Sequence, residues 1–262
     1  MSTDKNEREF VQSLARGLAV IRSFDEDHAA MSLSEVANRT DMTRATARRL
    51  LHTLVALGYA DLNGKLFTLK PTVLDLGYAY LSSLNLWQIA HPIMQEVVEK
   101  VHESCSASVL EGQDVIYVAR VPTRRILSIG LSVGSHLPAH ATSMGRVLLS
   151  SLPDDELEEF LRSATLNRYT ERTVTDPARL RRIIDKIAKI GWALVDQEFE
   201  LGLRSIAVPV WGLSSRLIAA LNISTHAARM STDQMVEQLL PVLRDASRQI
   251  SAAMGVRQSK QA

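Results

Sequence analysis

Hydrophobic residues change rhythm several times along this chain, and each rhythm predicts an element. Val11, Leu14, Leu18 and Ile21 keep helical spacing up to Phe24, where Asp25-Glu26-Asp27 breaks the pattern. Ser32-Leu33-Ser34-Glu35 has the form of a capping box, so a second helix starts there and ends near Thr40. Ala47, Leu50, Leu51 and Leu54 recur at i, i+3, i+4 and i+7 in a third helix, capped by Thr43 and stopped at Gly58. Tyr59 to Leu62 and Lys65 to Leu69 flank Asn63-Gly64, the dipeptide that suits a type I′ turn, and predict a two-stranded wing with Lys65 at its tip. Pro71 opens a linker helix, and a further helix is expected from Leu86 to Val101.

The period then becomes two. Strands are predicted at Cys105 to Leu110, Val115 to Val121 and Leu127 to Val133, the first two joined by a turn at Glu111-Gly112-Gln113-Asp114. Helices follow at Met144 to Ser151, Asp154 to Leu161 and Pro177 to Ile190. Three more strands come at Trp192 to Gln197, Ser205 to Trp211 and Leu217 to Ser224, and a closing helix from Thr232 to Met254. The expected fold class is α+β: an N-terminal winged helix-turn-helix over residues 1–70, a linker helix over 71–90, and a sensor domain over 91–262 with an antiparallel sheet flanked by helices.

Charge sharpens this picture at one place. The 262-residue chain carries a net charge of only +1, so any attraction to nucleic acid comes from a local patch. From Thr43 to Leu57 there are three arginines, one histidine and no acid. Ala45, Arg48, Arg49 and His52 form the face opposite the apolar stripe. Thr43, Thr46 and the amides at the helix start are expected to hold phosphates, and Arg44, Arg48 or Arg49 to read guanine. One such helix covers half a site, so the expected partner is double-stranded DNA with a pseudopalindromic operator, bound by a two-fold dimer. A solvated helix hairpin used for protein contacts is the plain alternative.

Beyond this face the chemistry is sparser. His140-Ala141-Thr142-Ser143-Met144-Gly145-Arg146 leads into a helix whose free amides suit a carboxylate, and the plain alternative is a helix cap. Arg204 and the pair Arg124-Arg125 are further candidates, and of two adjacent strand residues at most one faces inward. His136 and His140 have metal-ligand spacing, but Pro138 between them forbids the helix that would align them. Asp196, Glu198 and Glu200 beside Arg204 suit a salt-bridged surface better than paired catalytic acids. A single cysteine, Cys105, allows no intrachain disulfide, and no apolar run approaches a membrane span. The reading is a cytoplasmic, non-enzymatic regulator with no cofactor and no metal. The alternative is a small-molecule-binding enzyme or sensor whose winged helix mediates protein contacts.

The order of a winged helix, a linker helix, His140-Ala-Thr-Ser-Met-Gly-Arg and Gly202-Leu-Arg-Ser-Ile-Ala-Val-Pro resembles the IclR family of bacterial transcription regulators, and the runs Arg120-Val-Pro-Thr-Arg-Arg-Ile, Leu131-Ser-Val-Gly-Ser, Leu137-Pro-Ala-His-Ala-Thr-Ser-Met-Gly-Arg-Val-Leu-Leu and Ile223-Ser-Thr-His-Ala resemble its branch controlling protocatechuate and β-ketoadipate pathway genes. The resemblance covers nearly the whole chain. It implies a GAF-like effector-binding domain, a homodimer or dimer of dimers, and a carboxylated aromatic or its ring-cleavage product as effector. It also implies that Met144, Asp196, Ser205, Ser224 and Thr225 join Arg124, Arg125, His140, Thr142, Ser143, Arg146 and Arg204 around the effector. Many relatives carry cysteine where this chain has Ser205.

Overall fold

In the computed structural model the described residues are 10–77, 86–123, 131–212 and 216–254. The chain divides into two compact units, residues 1–80 and 81–262.

The first unit holds α1 (Gln12–Arg22), α2 (Leu33–Arg39) and α3 (Arg44–Ala56) with strands β1 (Ala30–Ser32), β2 (Ala60–Asn63) and β3 (Leu66–Leu69) in the order β1-β3-β2. The capping box forms as its residues dictate: the Ser32 hydroxyl accepts from the Glu35 amide, and the Glu35 carboxylate accepts from the Ser32 amide at 2.7 Å. Asp41 takes the left-handed conformation, φ 50°, that turns the chain from α2 into α3. Ala47, Leu51 and Leu54 of α3 bury against Val20, Val36 and Phe67, while Leu50 is only partly covered.

Three details differ from expectation. Ala30–Ser32 adds a strand to the wing that its length hid. The wing's two-residue loop is Gly64-Lys65, not Asn63-Gly64: Asn63 pairs with Leu66 inside the ladder, and the positive φ of 64° belongs to Gly64, the glycine-first pattern of a type II′ turn. Val11, Leu14 and Leu18 do not enter this core; they are 59%, 63% and 47% exposed, and Val20 is buried instead. After the wing, a 3-10 turn at Pro71–Val73 leads into helical residues 74–77.

In the second unit, α4 (Leu86–Val101) is followed by β4 (Ser104–Glu111), β5 (Asp114–Val121) and β6 (His136–Pro138). Then come α5 (Ser143–Leu149), α6 (Asp154–Ser163), α7 (Pro177–Ile190), β7 (Ala193–Asp196), β8 (Leu203–Trp211) and β9 (Leu217–His226). A helical turn Thr232–Gln234 and a π-turn Met235–Leu239 run into α8 (Leu240–Ala253). The six strands form one antiparallel sheet, β6-β5-β4-β9-β8-β7. The strand expected at Leu127 to Val133 lies mostly outside the described residues; its residues 131–133 are in no strand, and the third strand is His136–Pro138.

Helices cover both faces of this sheet. On one face α4 and α8 pack Met94, Val97, Leu243 and Ile250 over Cys105, Ile206, Val208, Leu221 and Ile223. On the other, α5, α6 and α7 pack Met144, Val147, Phe160, Leu180 and Ile184 over Tyr117, Ala207 and Ala220. Strand alternation therefore decides which layer each sheet residue joins.

Candidate functional site

The first candidate surface is α3. Its apolar stripe fixes the rotation of the helix, so Arg44, Ala45, Arg48, Arg49 and His52 all stand on the exposed side. Thr43 caps the helix: its Oγ1 accepts from the Thr46 amide at 3.2 Å and lies 3.0 Å from the Thr46 hydroxyl. Among the described residues Arg44, Arg48 and Arg49 make no ion pair, so three guanidinium groups stand at the surface without counter-charge. His52 meets Phe67 of the wing edge-on, ring centroids 5.9 Å apart, which ties the far end of α3 to β3. Lys65 is exposed at the tip of the β2-β3 hairpin. Arg48, Arg49, His52, Thr53, Ala56 and Leu57 line an open groove along the helix.

The second candidate surface is the sheet face under α5. Register places Arg120 of β5 opposite Ser106 of β4, and Ser106 opposite Asn222 of β9. Ser104, Ser224 and Ser205 form the next row, one on each of β4, β9 and β8. Asn222 and Ser224 lie on the same face as Ala220, and Ser205 on the same face as Ala207, the alanines that pack under α5. Arg120 donates from Nη1 to the Ser106 hydroxyl at 3.3 Å and has no carboxylate partner among the described residues. Burial holds its guanidinium pKa below the usual value. Asn222 is 3% exposed; its Nδ2 donates to the Ser224 hydroxyl at 3.1 Å, and its Oδ1 has no partner among the described residues. Ser143, 1% exposed in the first turn of α5, also has an unpartnered hydroxyl oxygen.

Of the residues expected around an effector, the structure brings Ser205 and Ser224 to this face, and Ser143 is buried at the start of α5, which packs over it. Met144 packs in the same layer, where its Sδ accepts from the Ser108 hydroxyl at 3.3 Å. Arg124 and Arg125 lie outside the described residues. Arg120, Ser106 and Asn222 share this face, although reading the sequence alone does not single them out.

The others are committed elsewhere. Thr142 is the cap of α5, accepting from the Gly145 amide and donating to the Pro138 carbonyl, so the plain reading of this residue prevails. Arg146 is 2% exposed and grips Glu198 with two bonds, 2.7 and 2.6 Å, while its Nε donates to the His140 carbonyl. Its charge is already paired with Glu198. His140 is buried, its Nε2 placed 3.1 Å from the Asn167 carbonyl; burial pushes its pKa down and keeps the ring neutral at pH 7.

Arg204 and Thr225 precede and follow residues of the pocket face and so project from the opposite one. Arg204 donates to the Ala227 and Met230 carbonyls, and Thr225 to Glu103 at 3.0 Å. Asp196 pairs with Arg204 and with Arg172; burial works against its ionised form, but these partners and Gln197 hold its carboxyl below the usual range. No group of three metal-ligating side chains occurs among the described residues.

Both candidate surfaces coincide with known domains. Residues 13–63 match the model of the IclR helix-turn-helix domain, and residues 78–252 match that of the bacterial transcriptional regulator IclR C-terminal domain. The chain belongs to the IclR family. This family consists of bacterial transcriptional regulators that bind DNA through the helix-turn-helix domain, which here includes α2 and α3, and the enzyme alternative falls away.

Among relatives, the Pca regulon regulatory protein of Pseudomonas putida is 45% identical over 243 residues, covering 92% of this chain and 84% of that protein. A candidate transcriptional regulator from Rhodococcus sp. RHA1 has a crystal structure that superposes with a TM-score of 0.85 at 51% identity, covering 94% of this chain and 98% of that one. An IclR homologue from Microbacterium hydrocarbonoxydans, crystallised as a complex with 4-hydroxybenzoate, superposes with a TM-score of 0.83 at 29% identity, over 93% and 99% of the two chains.

Proposed function

We propose that this IclR regulator senses a small aromatic carboxylate on the sheet face under α5 and controls genes for aromatic-acid breakdown. The observation that carries the reading is Arg120: a half-buried guanidinium that, among the described residues, has one hydroxyl partner and no acid, set among serines and an asparagine. A buried cation without a counter-ion is costly, and a ligand carboxylate supplies the missing charge together with two hydrogen bonds. The relatives that regulate the Pca regulon or bind 4-hydroxybenzoate support the same chemical class.

On the DNA side, Thr43, Arg44, Ala45, Thr46, Arg48, Arg49, His52 and Lys65 form the contact set in this reading. The protein works in the cytoplasm as a two-fold dimer, or a dimer of dimers, on a pseudopalindromic operator. The exposed stripe Phe10, Val11, Leu14 and Leu18 supports association, since an apolar face of that size is normally covered. Residues 71–90 serve as the link between sensing and reading.

Thermal denaturation of the full chain with increasing protocatechuate, 4-hydroxybenzoate, 3-oxoadipate or cis,cis-muconate tests the sensing claim. At least one of them raises Tm in a concentration-dependent way, and Arg120→Gln weakens that ligand about tenfold or more. A folded protein that responds to none of them refutes the reading.

A further inference from the structure

Positive charge on the sensor unit gathers on one helix. α7 reads Pro-Ala-Arg-Leu-Arg-Arg-Ile-Ile-Asp-Lys-Ile-Ala-Lys-Ile, five cations against one acid, in a chain whose net charge is +1. Leu180, Ile184 and Ile187 bury one side, so Arg179, Arg182, Lys186 and Lys189, at i, i+3, i+7 and i+10, share the exposed one. Arg181 stands apart from this row. It pairs with Asp154 and Glu158 of α6 and with Asp185, the one acid of α7, and so takes up the carboxylates nearest the row. Among the described residues the four cations of the row make no ion pair, and Arg182 Nε reaches only the Ala178 carbonyl. A helix face that is merely solvated usually mixes signs. At the N-terminal end of α7 the row continues into a surface cleft lined by Arg168 and Arg179, where Asp196 and Glu198 are paired with Arg172 and Arg146, Asp176 caps the helix, and the remaining acid is Glu171.

We infer that α7 is a second DNA-contact surface, outside the winged helix: Arg179, Arg182, Lys186 and Lys189 hold phosphates of the duplex that flanks the operator. From Arg179 to Lys189 the helix rises about 15 Å, a length over which one strand of a duplex carries about four phosphates. A protein partner is a poorer match, because lysine is depleted in protein interfaces, whose centres are aromatic or apolar, and the row holds no such anchor. Long flexible cations without fixed partners suit the DNA backbone, which positions a protein and carries no sequence information. The sensor unit then adds affinity that depends on duplex length and not on sequence.

Anisotropy titration of the full chain tests this with two duplexes: the shortest that the protein selects from a random-sequence pool, and the same duplex lengthened by about 20 bp, two helical turns, at each end. The parent is expected to bind the longer duplex at least about tenfold tighter at low salt, with a slope of log K against log salt steeper by about 0.9 for each added phosphate. Arg182→Glu with Lys186→Glu removes that gain and leaves binding of the short duplex as in the parent, whereas Arg48→Ala weakens both duplexes alike. If the charge-reversed protein does not fold by circular dichroism, Arg182→Gln with Lys186→Gln carries the same test. Equal affinity of the parent for the two duplexes overturns the inference, as does a folded double variant that keeps the gain. An equal loss on both duplexes in the double variant, or a change in the sedimentation of the free protein, assigns the row to contacts between copies and overturns it as well.

Discussion

Arg146 and Glu198 form the most consequential ion pair in the sensor unit, and cutting it has a calculable outcome. The Arg146 side chain is 2% exposed and that of Glu198 11%, with Nη2 and Oε2 2.6 Å apart. The carboxylate also accepts from the Val174 amide at 3.0 Å, so it joins α5 to the segment before α7. Arg146→Met removes one charge and leaves the other stranded. Breaking a buried pair in this way costs about 3–5 kcal/mol. In a unit of this size each kcal/mol moves Tm by about 2–4 °C, so the variant should melt about 6–20 °C lower. Arg146→Met with Glu198→Leu removes both charges and should recover most of that loss, because apolar replacement of a whole buried pair is often neutral. Circular dichroism melts of parent, single and double variants, with and without 4-hydroxybenzoate, provide the measurement. A single variant that melts with the parent but no longer responds to the ligand would refute the structural role and return Arg146 to the effector.

Other expectations are equally direct. Arg48→Ala and Arg49→Ala should weaken operator binding in anisotropy titrations, and the plot of log K against log salt should become shallower by about 0.9 for each phosphate no longer neutralised; an unchanged slope and affinity would remove these residues from the interface. At Gly145 an added Cβ would overlap the Ala139 carbonyl oxygen, so Gly145→Ala should cost about 3 kcal/mol in denaturant unfolding, and a neutral result would contradict the close packing of α5 on the preceding turn. His140 has a folded-state pKa lowered by burial, so the stability it contributes is present above the ordinary histidine range and is lost as pH falls through that range towards the folded value. His140→Gln should flatten that acid-side decline in stability; a parallel pH profile in the variant would refute the assignment.

How much of this is readable from residues depends on how the two surfaces are built. The exposed face of α3 is open to inspection because its core is one-sided: Ala47, Leu51 and Leu54 fix the buried stripe, and the arginines must then face out. The sensor sheet offers no such asymmetry. Helices cover both of its faces, so apolar residues occur on each side and alternation alone does not say which side holds the ligand. Ser205 beside Arg204 and Ser224 beside Thr225 are equally eligible in the sequence, and only the position of α5 separates them.

Arg120 is harder still. Counting outward from the hairpin turn, Glu111 pairs with Asp114 and Ser108 with Tyr117, and an unbroken ladder would set Arg120 opposite Cys105, in the apolar layer with α4 and α8. A bulge between Ala107 and Ser108 shifts the register by one residue, so Arg120 meets Ser106 and turns to the opposite face. The adjacent Val118 and Ala119, both buried in the α4–α8 layer, are the local trace of that extra residue. A single irregularity in β5 thus carries the guanidinium from the apolar α4–α8 face to the face that holds Ser106, Ser224 and Asn222. Val118 is the extra residue, and deleting it should close the ladder with Arg120 still opposite Ser106, so the variant should keep its ligand response in ligand-dependent melting; a folded deletion variant that no longer responds would contradict the register argument.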